Sequence, residues 1–193
     1  MRAVPRWLVE AEETVAGVFA RQGYDGTRME DLAAATGVPR ATLYYHFRGK
    51  EEVLEWLLRS TLAELAEAVA GAAKEPGDAR RRLELVVRAL LASMARRPAA
   101  CRVLLADMGR AGPLGEIAAG IVDAFHGPVI DLLAEGAVDG SLRPVADRGR
   151  VAAAVFGAVA VAALQSLVLE AALDEQGIAS VVLDVVFSGL EGR

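Results

Sequence analysis

Residues 27–50 read TRMEDLAAATGVPRATLYYHFRGK, and no other stretch of the chain constrains the fold so tightly. Thr27 and Glu30 stand three apart ahead of a run with helical apolar spacing, the pattern of a Thr-x-x-Glu capping box, so a helix is expected over 29–36. Gly37 is placed to close it, because glycine reaches the left-handed backbone of a helix end without strain. Pro39 carries the fixed φ favoured at a first helical position, and a second helix is expected over 39–45. Two short helices joined by so tight a turn make a helix-turn-helix, a motif that lays its second helix in the DNA major groove. Ala33 and Ala34 are small enough for the helices to cross, while Leu43 and Phe47 fall on the inward face. The outward face then carries Arg40, Ala41, Thr42, Tyr44, Tyr45 and His46. Arginine can pair bidentately with guanine, and Ala and Thr can contact a thymine methyl. The tyrosine hydroxyls, Thr27 and Lys50 suit phosphates, with Lys50 opening the next helix, where free N–H groups also favour an anion.

The 193-residue chain is 54% hydrophobic and 24% charged, which is the composition of a folded protein. Its formal net charge of −5 is unevenly placed: residues 1–50 are +1 and the remainder −6. Phosphate affinity depends on local charge, and residues 27–50 hold four basic side chains against Glu30 and Asp31. Cys101 is the single cysteine, so neither an intrachain disulfide nor a cysteine-based zinc site can form, and a reducing cytoplasm is the expected compartment. The start of the chain, MRAVPRWLVEAEE, lacks the apolar core of a signal peptide.

Helical spacing continues to the end of the chain, and no alternating strand pattern interrupts it. A first helix is expected over 5–22, burying Leu8, Ala11, Val15, Val18 and Phe19 and ending at Gly23. A long one over 50–73 carries the stripe Val53, Leu54, Leu57, Leu58, Leu62, Leu65 and Val69. Helices over 79–95, 99–108, 114–138, 147–175 and 178–190 follow, with a loop at 109–113 and a bend at Gly127-Pro128, where proline removes a backbone hydrogen bond. The expected fold is therefore all-α: a helix-turn-helix domain in residues 1–50, joined by the long helix to a helical bundle in 51–193.

Residues 151–169 have the length of a membrane span, with only Gln165 and Ser166 polar. Alanine and glycine make up much of it, however, and a helix apolar all round can equally be buried in a bundle or a dimer, so no membrane is expected. Ala153, Gly157 and Ala160 have the spacing that lets helices approach closely. Ile178, Val181, Val182, Val185, Val186 and Gly189 share one face of the last helix. Two such helices from each of two subunits would make a homodimer, placing two recognition helices on a near-palindromic site; packing into a monomer core is the alternative. Among the middle helices, Met94, Leu104, Met108, Ile121, Phe125, Phe156 and Leu164 could line an apolar pocket, with Cys101, His126 and Gln165 as polar contacts. Such a lining favours an apolar or amphipathic small-molecule effector.

Enzyme chemistry finds little support. Asp123 and His126 are three apart, but a metal site of bundle type needs two such motifs and further carboxylates, and only His46 remains. No nucleophile triad or phosphate loop is present, so neither catalysis, a metal nor a cofactor is expected.

At Phe19, Gly23, Tyr24, Thr27, Asp31-Leu-Ala33, Gly37-Val38, Thr42-Leu-Tyr-Tyr-His-Phe47 and Lys50-Glu-Glu the chain strongly resembles the TetR family of bacterial transcriptional regulators. The resemblance covers about residues 8–60, with a weaker match at Gly140-Ser-Leu-Arg-Pro144. It implies an all-helical protein with an N-terminal DNA-binding domain, a divergent effector-binding domain, and a dimer formed by the last two helices. It also implies that Thr27, Arg28, Arg40, Ala41, Thr42, Tyr44, Tyr45, His46 and Lys50 lie at the DNA face. Pro39 and Arg40 depart from the small polar residue and lysine frequent in the family, so the DNA sequence read does not carry over. The expected function is a ligand-responsive regulator, a repressor rather than an activator. Effector binding would shift the long helix, change the spacing of the recognition helices and lower DNA affinity. A membrane-associated helical protein, or a small helical enzyme with an incidental helix-turn-helix, are the alternatives.

Overall fold

A computed structural model describes residues 5–107, 120, 122–169 and 173–190, and among these it holds ten α-helices, one π-helical segment and no strand. The order is α1 (Arg6–Glu10), α2 (Glu12–Gly26), α3 (Met29–Thr36), α4 (Arg40–His46), α5 (Lys50–Ala72), α6 (Ala79–Arg96) and α7 (Pro98–Asp107). The π segment Val122–His126 follows, then α8 (Gly127–Asp139), α9 (Arg148–Leu169) and α10 (Glu175–Leu190).

The helix expected over 5–22 is two helices, because the chain leaves helical geometry at Ala11 (φ −90°, ψ 1°). Gly23 breaks it again at φ 69°, a conformation open to glycine, and one further turn carries α2 to Gly26. The bounds of α3 are as expected, but its cap is not. The helix starts one residue later than a Thr27 cap requires: Arg28 is the N-cap and donates its N–H to Asp31 Oδ2 at 2.9 Å. Gly37 ends α3 in the left-handed region (φ 68°). Pro39 stands outside α4 rather than at its first position: its ψ of 136° is extended, and its carbonyl accepts the first bond, from the Thr42 N–H at 2.8 Å. Ala33 is half-buried at the α3–α4 crossing, whereas Ala34 faces solvent.

Leu8, Val15, Phe19, Leu32, Leu43, Phe47, Trp56 and Leu57 form the core beneath α4. Each such side chain contributes roughly 1.5–3 kcal/mol through removal of apolar surface from water. That core continues without a gap along α5 into the second half of the molecule. There α6 is central, packed by α5, α8 and α10. Asp78 starts it by accepting the Arg81 N–H at 2.8 Å. The bend expected at Gly127-Pro128 is a π segment running into α8, consistent with the missing proline N–H. The start of that expected helix, and the loop at 109–113, lie outside the described residues.

The outer wall is α9 with α10. In α9, Ala152, Val155, Val159, Ala163 and Leu167 point into the core, while Ala154, Ala158, Val161, Gln165 and Val168 form an exposed stripe. Residues 148–168 are long and apolar enough to cross a bilayer (mean hydropathy 2.2), yet 39% of the most apolar window is buried inside the chain. On α10, Val181 and Val185 are about two-thirds exposed. Of the residues expected at a dimer interface, Ala153, Val181, Val185 and Gly189 are exposed, and Gly157, Ile178 and Val186 half-buried. Ala160 and Val182 are corrections: both pack into the core of their own chain, leaving 7% and 5% exposed. The free face of α9 is therefore rotated from the expected one, onto Ala154, Ala158 and Val161.

Candidate nucleic-acid interface and apolar cavity

The brace comes first. Leu43 and Phe47, 1% and 4% exposed, fix α4 on the core, and this leaves Arg40, Ala41, Tyr44 and Tyr45 facing solvent. Thr42 and His46 are half-buried at the rim, and Arg28 is exposed just before α3. Arg40 Nη1 lies 2.5 Å from Glu30 Oε1, and its guanidinium stands 5.3 Å from the Tyr44 ring centre. Hydrogen bonding to Tyr44, then the Glu30 charge, raise the Arg40 pKa above its ordinary value, so the group is a fixed cation that a nucleic acid must take from Glu30. The His46 ring is edge-on to Trp7 at 6.1 Å and to Tyr45 at 5.0 Å, so α1 buttresses the end of α4.

Beside the C-terminal half of α4 lies an open cleft of about 540 Å³, lined by Tyr44, Tyr45, His46, Phe47, Arg48, Glu52, Glu55 and Trp56. Glu52 pairs with Arg48 and Glu55 with Arg59. Each carboxylate is met by an arginine, so the cleft presents no uncompensated acid beside Tyr44 and Tyr45.

Thr27 and Lys50 are placed differently from the expectation that they reach outward. Thr27 is fully buried, and its hydroxyl donates to the Gly23 carbonyl at 2.7 Å. Lys50 Nζ donates to the carbonyls of Tyr24 (2.7 Å), Asp25 (3.1 Å) and Thr27 (3.0 Å), which spends all three of its N–H bonds. It also stands 4.5 Å from the Tyr24 ring centre. An ammonium at the carbonyl end of α2 meets the negative end of the helix dipole. Both residues thus tie α2 to the start of α5 and hold α3 and α4 between them.

The middle helices border an apolar cavity of about 20 Å³, the room of a single water. Its wall is Leu62, Leu65, Ala66 and Val69 of α5, Leu90 and Met94 of α6, Leu104 and Leu105 of α7, Ala124 and Phe125 of the π segment, and Phe156 of α9. Met94, Leu104, Phe125 and Phe156 are the expected lining residues found on it. His126 and Leu164 are half-buried but off the wall, Gln165 belongs to the exposed stripe of α9, and Met108 and Ile121 lie outside the described residues. The α5 residues are legible as an apolar stripe, but a stripe does not tell which of its members border a void. Among the described residues no three His, Cys, Asp or Glu side chains gather as a metal site, and the Asp123 side chain lies outside them.

Cys101 is buried and off the wall as well. Burial, then the charges of Glu13 and Glu64, push its thiol up to about 12 against the opposing Arg97. The folded protein should therefore resist an aromatic disulfide reagent at pH 8, because thiolate is the reacting form. Labelling should become rapid only in denaturant, and fast labelling of the native protein would show an open thiol instead.

The two ends of the molecule meet at an ionic junction with no local sequence signal. Arg97, in the turn between α6 and α7, pairs with Glu12 of α2 and places Nε 2.7 Å from Glu64 Oε2 of α5. Glu12 is 2% exposed. Glu13 accepts the N–H groups of Ala99 at 2.6 Å and Ala100 at 3.3 Å, capping α7 from another helix.

A solvent-facing helix on a buried brace, followed by a bundle bordering an apolar cavity, defines an all-helical helix-turn-helix protein. Residues 14–57 match the model of the bacterial regulatory proteins of the tetR family. The biofilm operon negative regulator IcaR of Staphylococcus aureus is 42% identical over 38 residues, a match spanning 20% of this chain and 20% of that relative. The whole fold is that of the ketosteroid transcriptional regulator KstR2 of Mycobacterium tuberculosis (TM-score 0.81, 23% identity, 99% of this chain and 98% of that one). It is also that of the TetR-family regulator PfmR of Thermus thermophilus (0.79, 23%, covering 97% and 100%). The transcriptional regulator FadR of Bacillus subtilis, solved with stearoyl-CoA, is similar too (0.79, 20%, covering 94% and 98%). Over residues 14–57 the chain thus matches the bacterial regulatory proteins of the tetR family, and the fold of the whole chain is that of these solved regulators.

Proposed function

We propose that the protein is a homodimeric, ligand-responsive DNA-binding regulator of transcription, a repressor that leaves its operator when a small apolar or amphipathic molecule enters the second domain. The observation that carries this reading is α4: a buried Leu43 and Phe47 beneath an exposed Arg40, Ala41, Tyr44 and Tyr45. A helix so braced can enter a major groove without rearranging the core. Arg40 is the guanine reader, Ala41 and Thr42 the thymine-methyl contacts, and Tyr44, Tyr45 and Arg28 the phosphate contacts, with His46 at the edge. Thr27 and Lys50 act as positioning residues beneath them.

The dimer is supported by the uncovered stripe of Ala154, Ala158, Val161 and Val168 alongside Val181 and Val185. Apolar faces on two neighbouring helices suit a four-helix contact about a two-fold axis. The apolar cavity wall supports the effector class, and the stearoyl-CoA held by the B. subtilis FadR structure makes long acyl compounds the first to test.

Fluorescence anisotropy with the DNA upstream of the protein's own gene, against a scrambled duplex at two salt concentrations, tests the reading. Expected is a preference of about a thousandfold at two subunits per site. Arg40→Ala should lose roughly 1–3 kcal/mol of it. Absence of binding to either duplex at low salt would overturn the function.

A further inference from the structure

We propose that Glu12, Glu13 and Arg97 form a latch through which α7 carries strain from the apolar cavity to the DNA-facing helices. This rests on the function proposed above and names its coupling element.

The cavity has room for one water, so a larger occupant enters only by pushing its walls apart. Of the wall elements, α7 is the one packed most closely against α2, and its Leu104 and Leu105 face the cavity. About 6 Å back along the helix, Ala99 and Ala100 are held by the Glu13 carboxylate. A carboxylate at a helix N-terminus satisfies free N–H groups and meets the positive end of the dipole. Here it comes from α2, so the N-terminal turn of α7 is completed by the DNA-facing domain.

Arg97 adds the second attachment. It leaves helical geometry at φ −132°, ψ 63°, and reaches Glu12 on α2 and Glu64 on α5. Glu12 Oε1 is buried without a hydrogen-bond partner. The latch is thus under-satisfied when closed, which lowers the cost of shifting it. Motion of α7 pulls α2 relative to α5, and those two helices are held together at their far end by Lys50 and the carbonyls of Tyr24, Asp25 and Thr27. The helices caught between are α3 and α4. A shift of α5 alone, the route expected from the sequence, would bypass Glu13.

Hydrogen exchange of amides 29–46 reads the coupling without DNA or effector. Ala66→Phe fills the cavity from within, and Ala124→Phe is the second filler should the first not fold. In an otherwise wild-type chain the filler should change exchange in α3 and α4 by about fivefold or more. With Glu13→Ala the same filler should have an effect at least severalfold smaller, and Glu13→Gln, which keeps one acceptor oxygen, should fall between and serve if Glu13→Ala does not fold. An equal filler effect with and without Glu13, or no effect in either background, overturns the latch. DNA binding of the same proteins separates the two failures: coupled exchange without DNA binding leaves the latch standing and removes the function.

Discussion

Arg97→Met is expected to lower stability by about 3–5 kcal/mol, because it leaves a buried carboxylate with no cation. Glu12 is 2% exposed, and Arg97 is its hydrogen-bonding cation. Breaking a buried pair from one side costs more than the pair was worth, since the remaining charge keeps its desolvation penalty. For a chain of this length the loss corresponds to a melting temperature lower by roughly 10 °C. Adding Glu12→Gln should recover much of it, as a neutral amide tolerates burial better than an unpaired carboxylate. Thermal unfolding followed by circular dichroism checks both. A single variant melting within a degree of the wild type would mean that water reaches Glu12 and the pair carries little.

Lys50→Arg is expected to behave almost as badly as Lys50→Met, each losing about 2 kcal/mol of stability and at least tenfold in operator affinity. The ammonium aims three N–H bonds at three carbonyls that converge from the end of α2. A planar guanidinium cannot point donors at all three at once. If Lys50 instead served as a phosphate contact, arginine would keep both the affinity and its salt dependence. Denaturant unfolding, together with anisotropy at several salt concentrations, separates the two roles. A fully active Lys50→Arg variant would return Lys50 to the DNA face.

Local chemistry is readable where one residue decides it. Gly37 ends α3, the apolar stripe of α5 is legible, and Leu43 with Phe47 identifies the inward face of α4. Misreadings arise where neighbours compete for one role. Thr27 and Arg28 both precede α3, and which of them caps it depends on where the Thr27 hydroxyl finds its acceptor, namely the Gly23 carbonyl four residues back. Pro39 is compatible with both the first helical position and the residue before it, and ψ decides. In α9 the apolar residues run all round the helix, so no periodicity marks the inward face, and Ala160 lies in the core although small-residue spacing points it outward. The junction is invisible for a different reason: Glu12 and Arg97 are 85 residues apart, and charged residues in that setting read as solvated surface.

A pocket with room for one water also sets a clock. On the proposed function, an effector bigger than water would have to wait for the walls to part, so its capture rate could not exceed the frequency of that parting, however concentrated it became. The apparent affinity is likewise lowered by the small fraction of time the walls stand open. Brief surges of a compound would then pass unnoticed, and only a sustained supply would register.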